Sequence, residues 1–162
     1  MCIRDSYLDF VSHISSNEGS RKVFEIEKTE DVEKDIRNFV KRLLGRIVFL
    51  YFLQKKRWLG ATNTNYEDGD TNFLLHLFEA DKEQFYTNWL SKLFFSALNT
   101  PDRPNDGFEL QNDNVVCVPF LNGGLFEEHQ EPNKHRTLKF PAFLFEELFT
   151  FFNGYNLSLI HI

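Results

Sequence analysis

IRNFVKRLLGRIVFLYFLQKKRWL, residues Ile36 to Leu59, is the longest and most strongly periodic apolar segment of the chain. Apolar residues fall at Ile36, Phe39, Val40, Leu43, Leu44, Ile47, Val48 and Tyr51, the i, i+3, i+4, i+7 rhythm of a helix with one face against a core. From Ile47 to Leu53 the rhythm gives way to an unbroken run, IVFLYFL, which places that part of the helix under cover on more than one side. Ile, Val, Phe and Tyr also suit a strand, but the periodic lead-in and the charged exit favour one long helix. The run is far shorter than the ~20 apolar residues a bilayer demands, so no membrane span is expected. Gly45 in mid-helix costs about 1 kcal/mol relative to Ala, which points to a close helix crossing. Upstream, Thr29 is a candidate cap, with Asp31 and Glu33 near the positive end of the dipole. Downstream, Trp58 and Leu59 end the element and Gly60 supplies a C-terminal cap.

Opposite the apolar face, Lys34, Arg37, Lys41 and Lys55 share a narrow sector, flanked by Arg42, Arg46 and Lys56. Repeated Lys and Arg on one helix face are how proteins meet nucleic-acid phosphates, which makes these four candidate DNA-backbone contacts. A solvated helix face explains the same residues without a ligand.

Outward from this helix, Tyr7 to Ile14 reads as a short helix or strand, and Ser15 to Ser20 as a polar loop. Val23 to Lys28 (VFEIEK) alternates as a half-exposed strand does. It fails as the metal-binding strand of a restriction-type nuclease, because Ile26 stands where the acidic residue two before the Lys is needed. Residues Ala61 to Asn72 form a polar loop in which Asp68-Gly69-Asp70 lacks the remaining ligands of a calcium loop. Phe73 to Glu79 gives a short helix. Asp81 with Gln84 reads as a capping box opening a longer one, with Phe85, Trp89, Leu93, Phe94, Ala97 and Leu98 on one face, stopped by Thr100, Pro101 and Pro104. Phe108 to Leu110 and Val115 to Val118, joined by QNDN, form a hairpin. Pro119 to Glu127 (PFLNGGLFE) is a tight loop without the spacing, the Lys or the following helix of a phosphate-binding one. His129 and His135, near Glu127 and Glu128, match no metal-ligand spacing and read as solvent-exposed. Pro141 to Phe152 is a last helix, closed by Asn153 and Gly154, with Phe145, Leu148, Phe149 and Phe152 as a core stripe. The fold class is therefore mainly α: an irregular helical bundle with a small β-hairpin and long loops.

Both ends stand apart. MCIRDS (residues 1–6) and LSLIHI (157–162) resemble sequencing adapter translated in frame, which makes the chain an internal fragment of a longer protein. The expected organisation is adapter over 1–6 and 157–162, a lead-in segment over 7–35 and a helical connector domain over 36–156. Residues 7–156 keep the net charge of −6 and, of the two cysteines, only Cys117. A lone cysteine and no visible leader fit a reduced, cytoplasmic setting. With 19 Phe in 162 residues, the core is built of flat rings and Leu. Net acidity argues against a free-standing nucleic-acid binder, although a larger parent can carry positive surface elsewhere.

RNFVKRLLGRIVFLYFLQKKRWLG, FYTNWLSKLFFSALNTPDR, VPFLNGGLFEE and FPAFLFEELFTFFNGYN, in that order from Ile36 to Asn156, resemble the helical region preceding the methyltransferase domain of type IIG restriction-modification enzymes and of the related large adenine-specific DNA methyltransferases of phage defence. The resemblance implies a parent that transfers a methyl group from S-adenosylmethionine to the exocyclic nitrogen of adenine in double-stranded DNA. A nuclease domain, where present, would add cleavage and a need for Mg²⁺. The partners implied are DNA and the adjoining nuclease and methyltransferase domains. The family's Asn-Pro-Pro-Tyr or Asp-Pro-Pro-Tyr motif, which holds a flipped base, is absent; Asn99-Thr100-Pro101-Asp102 lacks its second Pro and its aromatic residue. No glycine-rich cofactor loop follows a strand. No catalytic, cofactor-binding or metal residue is therefore expected in this chain itself, and the competing reading is a non-enzymatic helical interaction module of another large protein.

Overall fold

The computed structural model describes residues 2–121, 124–127 and 133–154. Among the described residues, five α-helices, two π-helical segments and a hairpin wrap one aromatic core, so the architecture is mainly α with a small β-hairpin, as the sequence implies. None of the described helices is long and apolar enough to cross a membrane.

Helices α1 (Ile3–Ser16) and α2 (Glu18–Glu25) meet at Asn17, whose side chain accepts the Ser20 amide at 2.9 Å and so starts the second helix where the first stops. Helix α1 includes Ile3 to Ser6, and Ser6 is buried. The strand expected over Val23 to Lys28 is a helix up to Glu25. Its alternation is too short to outweigh the cap and the i,i+4 pairs Glu18–Lys22 and Arg21–Glu25. Only Phe24 of its apolar residues is fully buried, packed on Phe39, while Ile26 is 67% exposed.

The long helix, α3 (Val32–Lys55), begins within the acidic lead-in, two residues after the start that a Thr29 cap would give. Asp31, not Thr29, is the cap: its carboxylate accepts the Lys34 amide at 3.0 Å, and the Thr29 hydroxyl bonds to Asp35 instead. Its end is earlier than a Gly60 cap would place it. The amides of Arg57 and Trp58 return to the carbonyls of Gln54 and Leu53, at 3.0 and 3.1 Å. Arg57 takes the left-handed conformation (φ 63°) in the position usually held by glycine. Gly60 (φ 75°) is therefore not the cap. It opens an extended segment in which the Gly60 amide donates to Cys117 and Ala61 bridges Cys117 on the hairpin. Gly69 has a harder requirement, since a Cβ there would lie 2.0 Å from the Arg57 carbonyl oxygen.

Helix α4 (Phe73–Ala80) leads to Asp81, whose carboxylate accepts the Gln84 amide (3.2 Å), Asn88 (3.1 Å) and the Trp89 indole (3.3 Å). The helix it opens is π-helical over Phe85–Leu90 and Lys92–Leu98, with Ser91 between. Ser91 Oγ bonds back to Tyr86 and Thr87 carbonyls and Thr100 Oγ1 to that of Phe95, filling the wide turns. The expected apolar face is buried, and Tyr86, Leu90 and Phe95 are buried with it. Strands β1 (Gly107–Glu109) and β2 (Val115–Cys117) pair antiparallel with Phe108 opposite Val116. Arg103 clamps the hairpin base through Thr100, Gly107 and Val118 carbonyls at 3.3, 2.6 and 2.5 Å. Helix α5 (Ala142–Asn153) follows Pro141, which caps rather than opens it. Gly154 closes it in an ordinary right-handed conformation (φ −77°). Phe145 is the hub: its ring lies 5.0 Å from Phe85, 5.4 Å from Phe10, 5.9 Å from Phe140 and 6.2 Å from Phe78, mostly edge to face.

Candidate nucleic-acid interface

Asp31 fixes where α3 starts and thereby which residues look outward. Lys34, Arg37, Lys41 and Lys55 are all exposed, and no ion pair among the described residues engages them. At 1.5 Å rise per residue, Lys34, Arg37 and Lys41 lie about 4.5 and 6 Å apart along the axis, but Lys41 and Lys55 are separated by about 21 Å. That gap carries Gly45, half-buried Val48 and Phe52, which is 44% exposed. The strip is thus two basic clusters, Lys34–Arg37–Lys41 and Lys55 with exposed Lys56 and Arg57, around an apolar middle.

The acids at the start of α3 are largely occupied. Glu33 accepts from Arg21 and from Ser15 Oγ (3.1 Å), tying α1, α2 and α3 together. The Arg21 hydrogen bond, then that of Ser15, holds the Glu33 carboxyl below its ordinary value of 4.5. Arg37 adds a weaker attraction on the same carboxylate, while Lys34 and Lys41 enter no ion pair among the described residues.

Arg46, expected to flank the strip, belongs to the interior. It is 2% exposed; its Nε donates to the Leu125 carbonyl at 2.7 Å, and its guanidinium lies 5.5 and 5.1 Å from the Phe94 and Phe95 rings. Arg46 stands seven residues from both Phe39 and Leu53, two turns away on the buried face, and that spacing was the available signal. Its bond explains part of the PFLNGGLFE loop. Gly124–Phe126 forms a 3₁₀ turn, Phe126 packs against Phe49 and Phe94, and the Leu121 amide donates to Leu98 at 2.9 Å. Asn122 and Gly123 of that loop, with Glu128 and His129, lie outside the described residues.

His135 is not solvent-exposed. It is 4% exposed, with Nε2 at 2.8 Å from Glu27 Oε1 and its ring 4.6 and 5.3 Å from Phe24 and Phe39. It pins the turn Asn133–Thr137 over the α2–α3 junction, a contact 108 positions away in sequence that spacing arguments do not reach. Among the described residues no group of three or more His, Cys, Asp or Glu is arranged to hold a metal ion. A pocket of about 350 Å³ between α4 and the hairpin is lined by Phe73, Leu77, Trp89 and Leu110, with His76 at its edge held by Asp70 at 2.5 Å. None of its lining residues is a serine, threonine or cysteine placed beside that histidine. Near the hairpin, burial and then Asp106 push the Cys117 thiol upward. Its Sγ lies 3.2 Å from the Asn105 carbonyl.

Over 105 residues, 63% of its length, the chain is 30% identical to a protein of Methanocaldococcus jannaschii described as a type II restriction enzyme and methyltransferase. The chain spans 8% of that relative's length. No family model matches the chain. No solved structure matches it.

Proposed function

We propose that this chain is part of a site-specific DNA (adenine-N6) methyltransferase of the type IIG restriction-modification class. Within it, the chain is the helical connector that positions nuclease and methyltransferase domains on double-stranded DNA. The observation that carries the reading is the 30% identity to a restriction-modification protein of which this chain covers only a small part. A segment that matches so small a share of a multifunctional enzyme, and that lacks Asn-Pro-Pro-Tyr, contributes placement rather than bond-making. Placement has catalytic weight, because a misplacement of about 1 Å can cost roughly 10²-fold in rate. S-adenosylmethionine would bind to the parent's methyltransferase domain, and Mg²⁺ to a nuclease domain if the parent carries one. Lys34, Arg37 and Lys41 then meet one run of DNA phosphates, with Lys55 near the far end of the same helix. The setting is the cytoplasm, where the DNA is.

Extending the reading frame downstream tests this directly. A glycine-rich loop after a strand, followed by Asn-Pro-Pro-Tyr, is the expected result. A stop codon or unrelated repeats there would sink it and favour a non-enzymatic interaction module, the reading to which the open apolar middle of α3 also lends itself.

A further inference from the structure

Two kinds of lining meet in the pocket between α4 and the hairpin. Phe73, His76, Leu77 and Ala80, spaced i, i+3, i+4 and i+7, bring one face of α4 to it, and Trp89 and Leu110 complete its apolar walls. These walls are fixed within the fold: the Trp89 indole is held by Asp81, and Phe73 lies edge to face with Phe108 at 6.1 Å. The polar groups are Asp70 and His76 on one side and the exposed amides of Gln111 and Asn112, at the hairpin turn, on the other. Asp70 is anchored twice, its amide donating to the Leu59 carbonyl and its Oδ1 accepting the Asn72 amide, both at 2.8 Å. Its Oδ2 takes Nδ1 of His76 at 2.5 Å. A carboxylate only accepts, so in the neutral imidazole the proton stays on Nδ1 and Nε2 is left as an oriented acceptor. Asn112 Oδ1 accepts the Asn114 amide at 3.2 Å, which leaves its NH₂ group to donate.

We propose that this pocket binds a flat, uncharged nitrogen heterocycle about the size of a purine base. Size, walls and rim each select that class. A volume of about 350 Å³ stands at the small end of ligand pockets, which run from about 300 to 1,000 Å³. Aromatic and aliphatic walls suit the faces of a ring, and preformed walls need little ordering on binding. The rim offers an acceptor at His76 and donors and acceptors at the two amides, so it matches a ring edge that carries both an N–H and a bare ring nitrogen. An aliphatic ligand, or the apolar side chain of a partner protein, would cover these groups without replacing their water bonds. An anion is disfavoured: among the described residues no lysine or arginine lines the pocket, whereas Asp70 does. Lys92, over the Trp89 and Phe108 rings at 5.4 and 5.1 Å, is engaged by the Glu109 carbonyl at 3.2 Å. The inference goes beyond the connector reading and does not rest on it.

The test is calorimetric titration of the 162-residue chain with three probes: adenine, adenosine monophosphate, and 1-methylindole, which has two fused rings but neither an N–H nor a bare ring nitrogen. Saturable binding of adenine, at least about tenfold tighter than either of the others, is expected. His76→Phe keeps a flat ring and removes the acceptor; it should weaken adenine about tenfold and leave 1-methylindole within about twofold. Ala80→Trp fills the pocket from an exposed position and should abolish adenine binding while the thermal melt stays cooperative, which keeps the test open should His76→Phe fail to fold. No saturable adenine binding, or binding unmoved by both variants, overturns the proposal. Equal affinity for 1-methylindole would reduce the pocket to an apolar hole and equally overturns it. So does an affinity for adenosine monophosphate that matches adenine, or displacement of adenine by a single-stranded oligonucleotide whose own binding Ala80→Trp weakens.

Discussion

Arg46 shows how one residue changes meaning once its surroundings are known. A charged donor bonded to a carbonyl contributes about 1.5–3 kcal/mol, and here the buried Arg46 reaches the partly buried Leu125 oxygen. Arg46→Leu should therefore lower the unfolding free energy by about 2 kcal/mol in urea denaturation, although leucine is the more apolar side chain. Gly69→Ala is expected to cost at least about 2 kcal/mol in the same assay, because its Cβ would collide with the fixed Arg57 carbonyl rather than with a movable side chain. Glu33 provides the acid-side prediction. Its folded-state pKa is depressed below 4.5, so its stabilising share is fully present above that value and is lost as pH falls through the lower folded value. Glu33→Gln should accordingly flatten the decline in stability between neutral pH and about pH 3, measured by denaturant melts across that range. An unchanged acid slope would mean that Arg21 and Ser15 hold Glu33 no more tightly than water does.

Among the elements, α3 was legible in outline. Ile36, Phe39, Val40, Leu43 and Ile47 are buried as their spacing requires, and the run up to Leu53 is covered except at Phe52 and, in part, Val48 and Phe49. Its ends were not legible, since Asp31 and Thr29 are both good caps and only the path of the chain chooses between them. At the other end, a non-glycine residue in the left-handed region closes the helix, against local preference, because Leu59 and Ala61 are held by Asp70 and Cys117. Gly45→Ala is expected to raise stability by about 0.5–1 kcal/mol, since it removes backbone freedom in the unfolded chain and meets no neighbour. A lower thermal midpoint in that variant would show that the helix needs glycine for a reason internal to the chain. The π-helical course of Phe85 to Leu98 left no mark in the pattern; apolar residues surround it on nearly every side, so the wider i→i+5 turn changes no alternation that could be read.

For the whole molecule, the proposed function puts the exposed cations of α3 against DNA, and that placement can be tested. In the full-length parent, Arg37→Glu with Lys41→Glu should weaken binding to duplex DNA and reduce the salt slope, log K against log salt, by about 2, as expected when two phosphate contacts are lost. Affinity and slope that match the unmodified enzyme would return these residues to an ordinary solvated face. The mainly helical class, the hairpin, the aromatic core and the exposure of Lys34, Arg37, Lys41 and Lys55 were readable from the chain's own pattern, because each follows from spacing within one element. Tertiary structure alone decided that Arg46 and His135 are interior, that VFEIEK is largely helical and that Gly45 lies open. These depend on partners far away in the chain: Arg46 meets Leu125, His135 meets Glu27, and Phe24 meets Phe39 and His135. Local periodicity encodes which side of an element is apolar, but which neighbour covers that side, and where none does, is set only when all the elements pack at once.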